Sequence, residues 1–112
     1  MSSTYVPERG DVAWMDLNPQ AGREQSGRRP VVVLSLGSYN RRAGLAVVCP
    51  VTSRSKGYPY EEAIPDGSPV VGVVLADHVK SLDWRSRRAE FVGRLAPDFV
   101  ALILFKVQSI FV

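Results

Sequence analysis

Apolar residues in this chain fall into short runs separated by polar, glycine- and proline-rich stretches. Residues 12–17 alternate apolar and polar side chains imperfectly and predict a first strand. Residues 31–34 and 45–51 are continuous β-branched runs, the pattern of strands buried on both faces or wrapped into a small barrel. Pro50 lies inside the second run and argues for an edge or a strand end there, because proline donates no ladder hydrogen bond. Further strands are predicted over 60–64, 70–76 and 89–95, the first two separated by the turn-forming Pro65-Asp66-Gly67-Ser68-Pro69.

The period changes at the C-terminus. Pro97 suits a first helical position, Asp98 suits the positive end of a helix dipole, and Phe99, Leu102, Ile103, Lys106 and Ile110 recur at helical spacing. The other faces of this helix carry Val100, Leu104, Phe105 and Val107, more apolar surface than one small core hides. A second copy of the chain is the simplest cover, so a homodimer is expected. Many short strands and one terminal helix make the fold mainly β, a small SH3-like barrel with a C-terminal α-helix. Between the first two strands, residues 18–28 are rich in Gly, Gln, Ser and charge and form a long loop.

The 112 residues make one domain, 1–112, with no internal repeat. A net charge of +3 favours an anionic partner without requiring one. The single cysteine, Cys49, forms no disulfide within the chain and, with the single histidine, His78, builds no zinc site. Inert burial is expected for Cys49. No run approaches the roughly 20 apolar residues that span a bilayer, and the N-terminus has no basic-then-apolar leader. The expectation is a cytoplasmic protein without membrane contact.

Three segments carry chemistry. Gly10-Asp11-Val12, Gly27-Arg28-Arg29-Pro30-Val31-Val32-Val33-Leu34 and Val51-Thr52-Ser53-Arg54-Ser55-Lys56-Gly57-Tyr58-Pro59 set a guanidinium and a hydroxyl-rich basic loop at strand ends, which is the chemistry of a phosphate site. Pro30 restricts Arg29 to extended backbone, so its guanidinium projects in a defined direction. Thr52 and Ser53 can donate to a phosphate oxygen, and Lys56 adds charge. Each has a plainer reading: an Arg-Pro before a strand is ordinarily a solvated strand start, and a threonine at a strand end is ordinarily a turn hydroxyl. A lone histidine excludes proton shuttling between two imidazoles of one chain, and His78 reads as structural or surface. There is no carboxylate cluster for magnesium or manganese; no metal and no cofactor are expected.

These segments, with Leu75-Ala76-Asp77-His78-Val79-Lys80-Ser81 and Trp84-Arg85, resemble the MazF/PemK family of toxin endoribonucleases over nearly the whole chain. The resemblance implies a MazF/CcdB-type barrel, a two-fold dimer, and an enzyme that cuts single-stranded RNA (mRNA) without metal at short motifs that often contain ACA, leaving a 2′,3′-cyclic phosphate and a 5′-hydroxyl. It places Arg29 and Thr52 at the catalytic pair's positions. On the residues alone, Glu24 in the loop can act as an auxiliary base or hold Arg29 in place, against the plainer reading of a solvated surface carboxylate beside Arg23. It implies a cognate MazE-like antitoxin whose acidic, disordered tail wraps the toxin dimer.

Candidate RNA contacts are Gln25 and Arg28 of the loop, then Ser53, Lys56 and Tyr58, then Lys80, Arg85, Arg87 and Arg88, with Tyr39, Tyr60 and Trp84 as further stacking surfaces. The bland reading of these charges is a solvated face, and of the aromatics a core. Two other functions stay open on the residues alone: a toxin of the same fold that binds a topoisomerase and cuts nothing, and a nucleic-acid-binding protein without catalysis.

Overall fold

The computed structural model describes residues 5–18, 22 and 25–112; Glu24, a candidate site residue, lies outside them. Seven strands form one antiparallel sheet: β1 (Asp11–Asp16), β2 (Arg28–Val33), β3 (Leu45–Thr52), β4 (Glu61–Ala63), β5 (Val73–Leu75), β6 (Lys80–Asp83) and β7 (Glu90–Arg94). Hydrogen-bonded neighbours run β4-β5-β3-β2-β1-β7, and β6 also pairs with β3. The mainly-β architecture with a terminal helix matches expectation, but among the described residues no pairing joins β4 to β7, so the sheet is not closed into a ring.

Both faces of the central strands are buried. Val31 and Val33 of β2 pack with Met15, Leu17, Ala46, Val48, Leu82 and Trp84, whereas Val32 and Leu34 pack with Val12, Cys49, Val51 and the helix residues Phe99, Val100 and Ile103. Alternate side chains of an extended strand point to opposite faces, so two cores on one sheet demand the unbroken apolar runs seen in the sequence. Helix α2 (Pro97–Gln108) covers the second core and begins with proline in its first turn, as expected. Its outer side stays exposed: Phe105 is 68% accessible and Leu102 is exposed, as are Ile110 and Phe111 just beyond the helix end. Val100, expected on an outer face, is buried, and Leu104 and Val107 are packed against the same core.

Pro50 is a correction. It lies inside β3 opposite Val31, not at an edge. Along the other side of β3, β6 pairs with residues 45–48 and β5 with 51–52. Pro50 stands where neither partner reaches, so the ladder loses nothing there. Elements absent from the sequence reading are helix α1 (Gly37–Ala43), a short 3-10 turn at Ala76–His78, and β6. The N-terminus of α1 is met from a distance, because Glu8 Oε1 accepts the Gly37 N–H at 2.7 Å. Gly44 closes the helix in the left-handed conformation at φ 71°. Asn40, fully buried on α1, donates to Pro7 O at 2.7 Å, and its carbonyl accepts the Trp84 indole N–H at 2.9 Å. Trp84 is thus a core residue and not a stacking surface.

A basic cleft at the mouth of two central strands

Arg29 and Thr52 meet because of strand register. Val31 faces Pro50, Val32 faces Cys49 and Val33 faces Val48 across β2 and β3. Continuing that register two positions toward the open end sets Arg29 across from Thr52, on one face of the sheet. An open cleft of about 800 Å³ lies there, lined by Gln25, Ser26, Arg29, Thr52, Ser53, Arg54, Lys56, Tyr58, Glu61, Leu75 and His78.

Arg29 is half-buried, and its Nε donates to Ser26 O at 2.7 Å. That bond orients the guanidinium, and among the described residues no carboxylate meets it. Thr52 is 6% accessible, and its Oγ1 accepts the Arg54 N–H at 3.2 Å. Accepting that bond leaves the hydroxyl proton free to donate elsewhere. Gly72 presses on the Thr52 backbone, where an added Cβ would lie 2.4 Å from Thr52 O; its φ of 133° also disfavours any other residue.

The loop after β3 is organised by one carboxylate. Glu61 accepts from Ser55 Oγ at 2.7 Å, from Lys56 N at 2.8 Å and from Gly57 N at 3.1 Å. The Lys56 backbone bond first, then the Ser55 hydroxyl, hold the Glu61 carboxyl below the usual carboxylate range. Opposite, the Tyr58 hydroxyl donates to Asp77, and Tyr58 meets Tyr60 edge-on with centroids 6.3 Å apart. Lys106 of α2 donates to Pro59 O at 2.7 Å and Glu61 O at 3.0 Å and pairs with Glu62 at 2.9 Å, which ties this corner to the helix.

The cleft therefore gathers Arg29, Thr52, Gln25, Ser53, Lys56 and Tyr58 from the sequence candidates. It leaves out Arg28, Lys80, Arg85 and Arg87. Arg28 pairs with Asp16 at 3.1 Å and Glu90 at 3.2 Å. Arg87 donates to Asn18 O at 2.5 Å, Lys80 pairs through β6 with Val48, and Arg85 lies over the Trp84 ring at 4.9 Å. Tyr39 is exposed on α1, away from the cleft lining. Ser26, Arg54, Glu61 and Leu75 stand on the cleft wall without having been candidates, and so does His78, expected to be structural or surface. Arg54 and Glu61 were legible, being within the same basic segment and the strand after it. Cys49 is buried, and that burial pushes its thiol up to about 12, as an inert cysteine requires.

Among the described cleft-lining residues three are cations, Arg29, Arg54 and Lys56, and the one carboxylate among them, Glu61, already has its donors. The surplus is suited to a polyanion. Among the described residues no three His, Cys, Asp or Glu side chains come together, and no helix is long and apolar enough to cross a membrane.

A family described as the PemK-like, MazF-like toxin of type II toxin–antitoxin systems matches residues 8–111. The endoribonuclease toxin MazF of Escherichia coli K12 is 47% identical over 108 residues, 96% of each chain. The endoribonuclease toxin ChpB of the same strain is 33% identical over 92% of each. Crystallographic MazF from Deinococcus radiodurans superposes with a TM-score of 0.92 at 52% identity, over 96% of this chain and 97% of that one. A MazE–MazF crystal structure from the same organism gives 0.84 at 47%, over 96% of each.

Proposed function

The chain belongs to the PemK-like, MazF-like toxin family of type II toxin–antitoxin systems, and from that premise we propose that it is an endoribonuclease cutting single-stranded RNA in the cleft between Arg29 and Thr52. The observation that carries the reading is the pairing itself: an arginine with no carboxylate partner among the described residues lies across from a buried hydroxyl on the neighbouring strand. Stabilising a phosphorane needs donors already in place where charge develops, and a guanidinium fork beside a threonine hydroxyl supplies them.

The attacking oxygen is the RNA's own 2′-hydroxyl. It bonds to phosphorus, its proton passes to a base, and the 5′-oxygen leaves with a proton, giving a 2′,3′-cyclic phosphate and a 5′-hydroxyl. Arg29 and Thr52 hold the phosphate, and Glu24 is the auxiliary base or the group that steadies Arg29. Gln25, Ser53, Lys56 and Tyr58 contact the strand, Tyr58 by stacking; Lys80 extends the contact along the backbone, and Arg28, Arg85 and Arg87 do so only where their present partners release them. No metal enters this scheme, and the recognition motif is short, with ACA the family's common element.

The partners follow from the same premise. A toxin of this family is held by a MazE-like antitoxin with an acidic, disordered tail, and the exposed Leu102, Phe105 and Phe111 suit a working homodimer. Light scattering at micromolar concentration then gives twice the monomer mass.

The decisive experiment uses long single-stranded RNA in EDTA, beside a copy carrying one deoxyribose 5′ of the scissile phosphate. The first should yield discrete fragments with a cyclic phosphate on the upstream product by mass spectrometry, and the second should bind and resist. Cutting of the deoxy-substituted strand, or loss of all cutting in EDTA, overturns the mechanism. Absence of cutting under any condition leaves a non-catalytic toxin or nucleic-acid binder.

A further inference from the structure

A carboxylate inside an RNA-binding cleft is an electrostatic liability, since it repels the phosphates that the neighbouring cations attract. Glu61 is such a carboxylate. Its surroundings explain its presence. The segment from Ser53 to Gly57 is exposed and outside any helix or strand, so its backbone has no ladder to hold it. Glu61 takes the place of that ladder: Ser55 Oγ, Lys56 N and Gly57 N all donate to the one carboxylate, curling the loop around it. Gly57 permits the curl by adopting φ 73°.

The far side of the clamp is itself anchored. Glu61 opens β4, and its own carbonyl and that of Pro59 just before the strand accept from Lys106 of α2. The loop is therefore tied through one side chain to a helix packed on the core. The backbone N–H groups of Lys56 and Gly57 are committed to Glu61, which leaves the loop to face RNA with side chains. Lys56 is the cation so presented, on the same cleft as Arg29 and Thr52.

We propose that Glu61 is a positioning residue that clamps the 55–57 loop so that the Lys56 ammonium stands where it meets an RNA phosphate. This rests on the endoribonuclease reading above and adds to it a residue that acts through another. Its signature is a sign. Removing an anion from an RNA cleft strengthens binding if charge is all that matters; removing a clamp weakens it.

The test measures steady-state cleavage of single-stranded RNA by Glu61→Ala, Lys56→Ala and the double variant. Glu61→Ala should raise KM roughly ten-fold and leave kcat within about three-fold, because Arg29 and Thr52 are untouched. Lys56→Ala should do about the same, and the double variant should be no worse than either alone, since both remove one contact. Glu61→Gln keeps one acceptor oxygen and loses the charge, so its KM should fall between wild type and Glu61→Ala. That variant serves equally if Glu61→Ala fails to fold. An unchanged or lowered KM in Glu61→Gln or Glu61→Ala, or single effects that multiply in the double variant, overturns the clamp while leaving the nuclease standing. A wild-type chain that cuts no RNA removes both readings at once.

Discussion

Arg28 and Arg29 are adjacent on β2, and strand alternation sends them to opposite faces. Arg28 meets Asp16 of β1 and Glu90 of β7, and donates to Arg88 O at 2.8 Å. Arg88, in the left-handed region at φ 54°, pairs with the same Asp16 at 2.8 Å. That corner is a closed ionic cluster whose cations are already answered. Arg29 has only the Ser26 carbonyl among the described residues and faces a cleft with a cationic surplus. Two identical side chains thus differ in what they are free to bind. Charge in a sequence marks where an anion can go, and the partners a fold supplies decide whether the place is already taken.

The comparison breaks most sharply under alanine. Arg29→Ala should lower kcat for RNA cleavage roughly a thousand-fold with the melting temperature nearly unchanged, because the side chain serves the phosphate and not the core. Lys at this position should rescue poorly, lacking the planar fork. Wild-type cutting by Arg29→Ala would remove Arg29 from the site. Thr52→Val keeps shape and removes the hydroxyl, so a loss of about ten- to several hundred-fold is expected from one missing donor. An unchanged rate would leave Thr52 a buried strand end and nothing more.

Gly72→Ala tests whether Thr52 depends on its backbone contact. The new Cβ would meet Thr52 O at 2.4 Å, and the left-handed φ adds strain. Such overpacking costs about 1–3 kcal/mol, so thermal unfolding should shift down and cleavage should fall by roughly ten-fold as Thr52 is displaced. A variant as stable and as active as the wild type would show that the strand yields there at no cost.

How far these two regions could be read from the sequence differs for a physical reason. Arg29 and Thr52 were legible because each ends an apolar run, and pairing two β-branched runs brings their ends together. Helix α1 was not: its N-terminal N–H is satisfied by Glu8, and its first residues, Gly37-Ser38-Tyr39-Asn40, read locally as a turn. Strand β6 carries a single buried apolar residue, Leu82, between Ser81 and Asp83, and is held by its register with β3 rather than by any pattern of its own. Pro50 misled because a proline reads as an edge until one knows that two partner strands share one side of β3. Arg28 and Arg87 looked the same as Arg29 because their partners come from segments far along the chain.

The smallest expected effect lies in the closed cluster and sharpens the contrast by its mildness. Arg28→Ala should lower the melting temperature by no more than about 5 °C, since partly exposed ion pairs contribute little, and should leave kcat within about two-fold. Its clearer mark is in acid. The Arg88 hydrogen bond first, then that of Arg28, hold the Asp16 carboxyl below its ordinary 3.8. A carboxyl lowered on folding stabilises the native state above its unfolded value, and that stabilisation is lost as pH falls from there through the folded one. Melting curves should therefore show the wild type losing part of its margin over Arg28→Ala below about pH 4, the two converging as Asp16 protonates. Curves that stayed parallel through that window would mean that Arg28 holds the corner by packing of its stem, and that the cluster is closed by shape and not by charge.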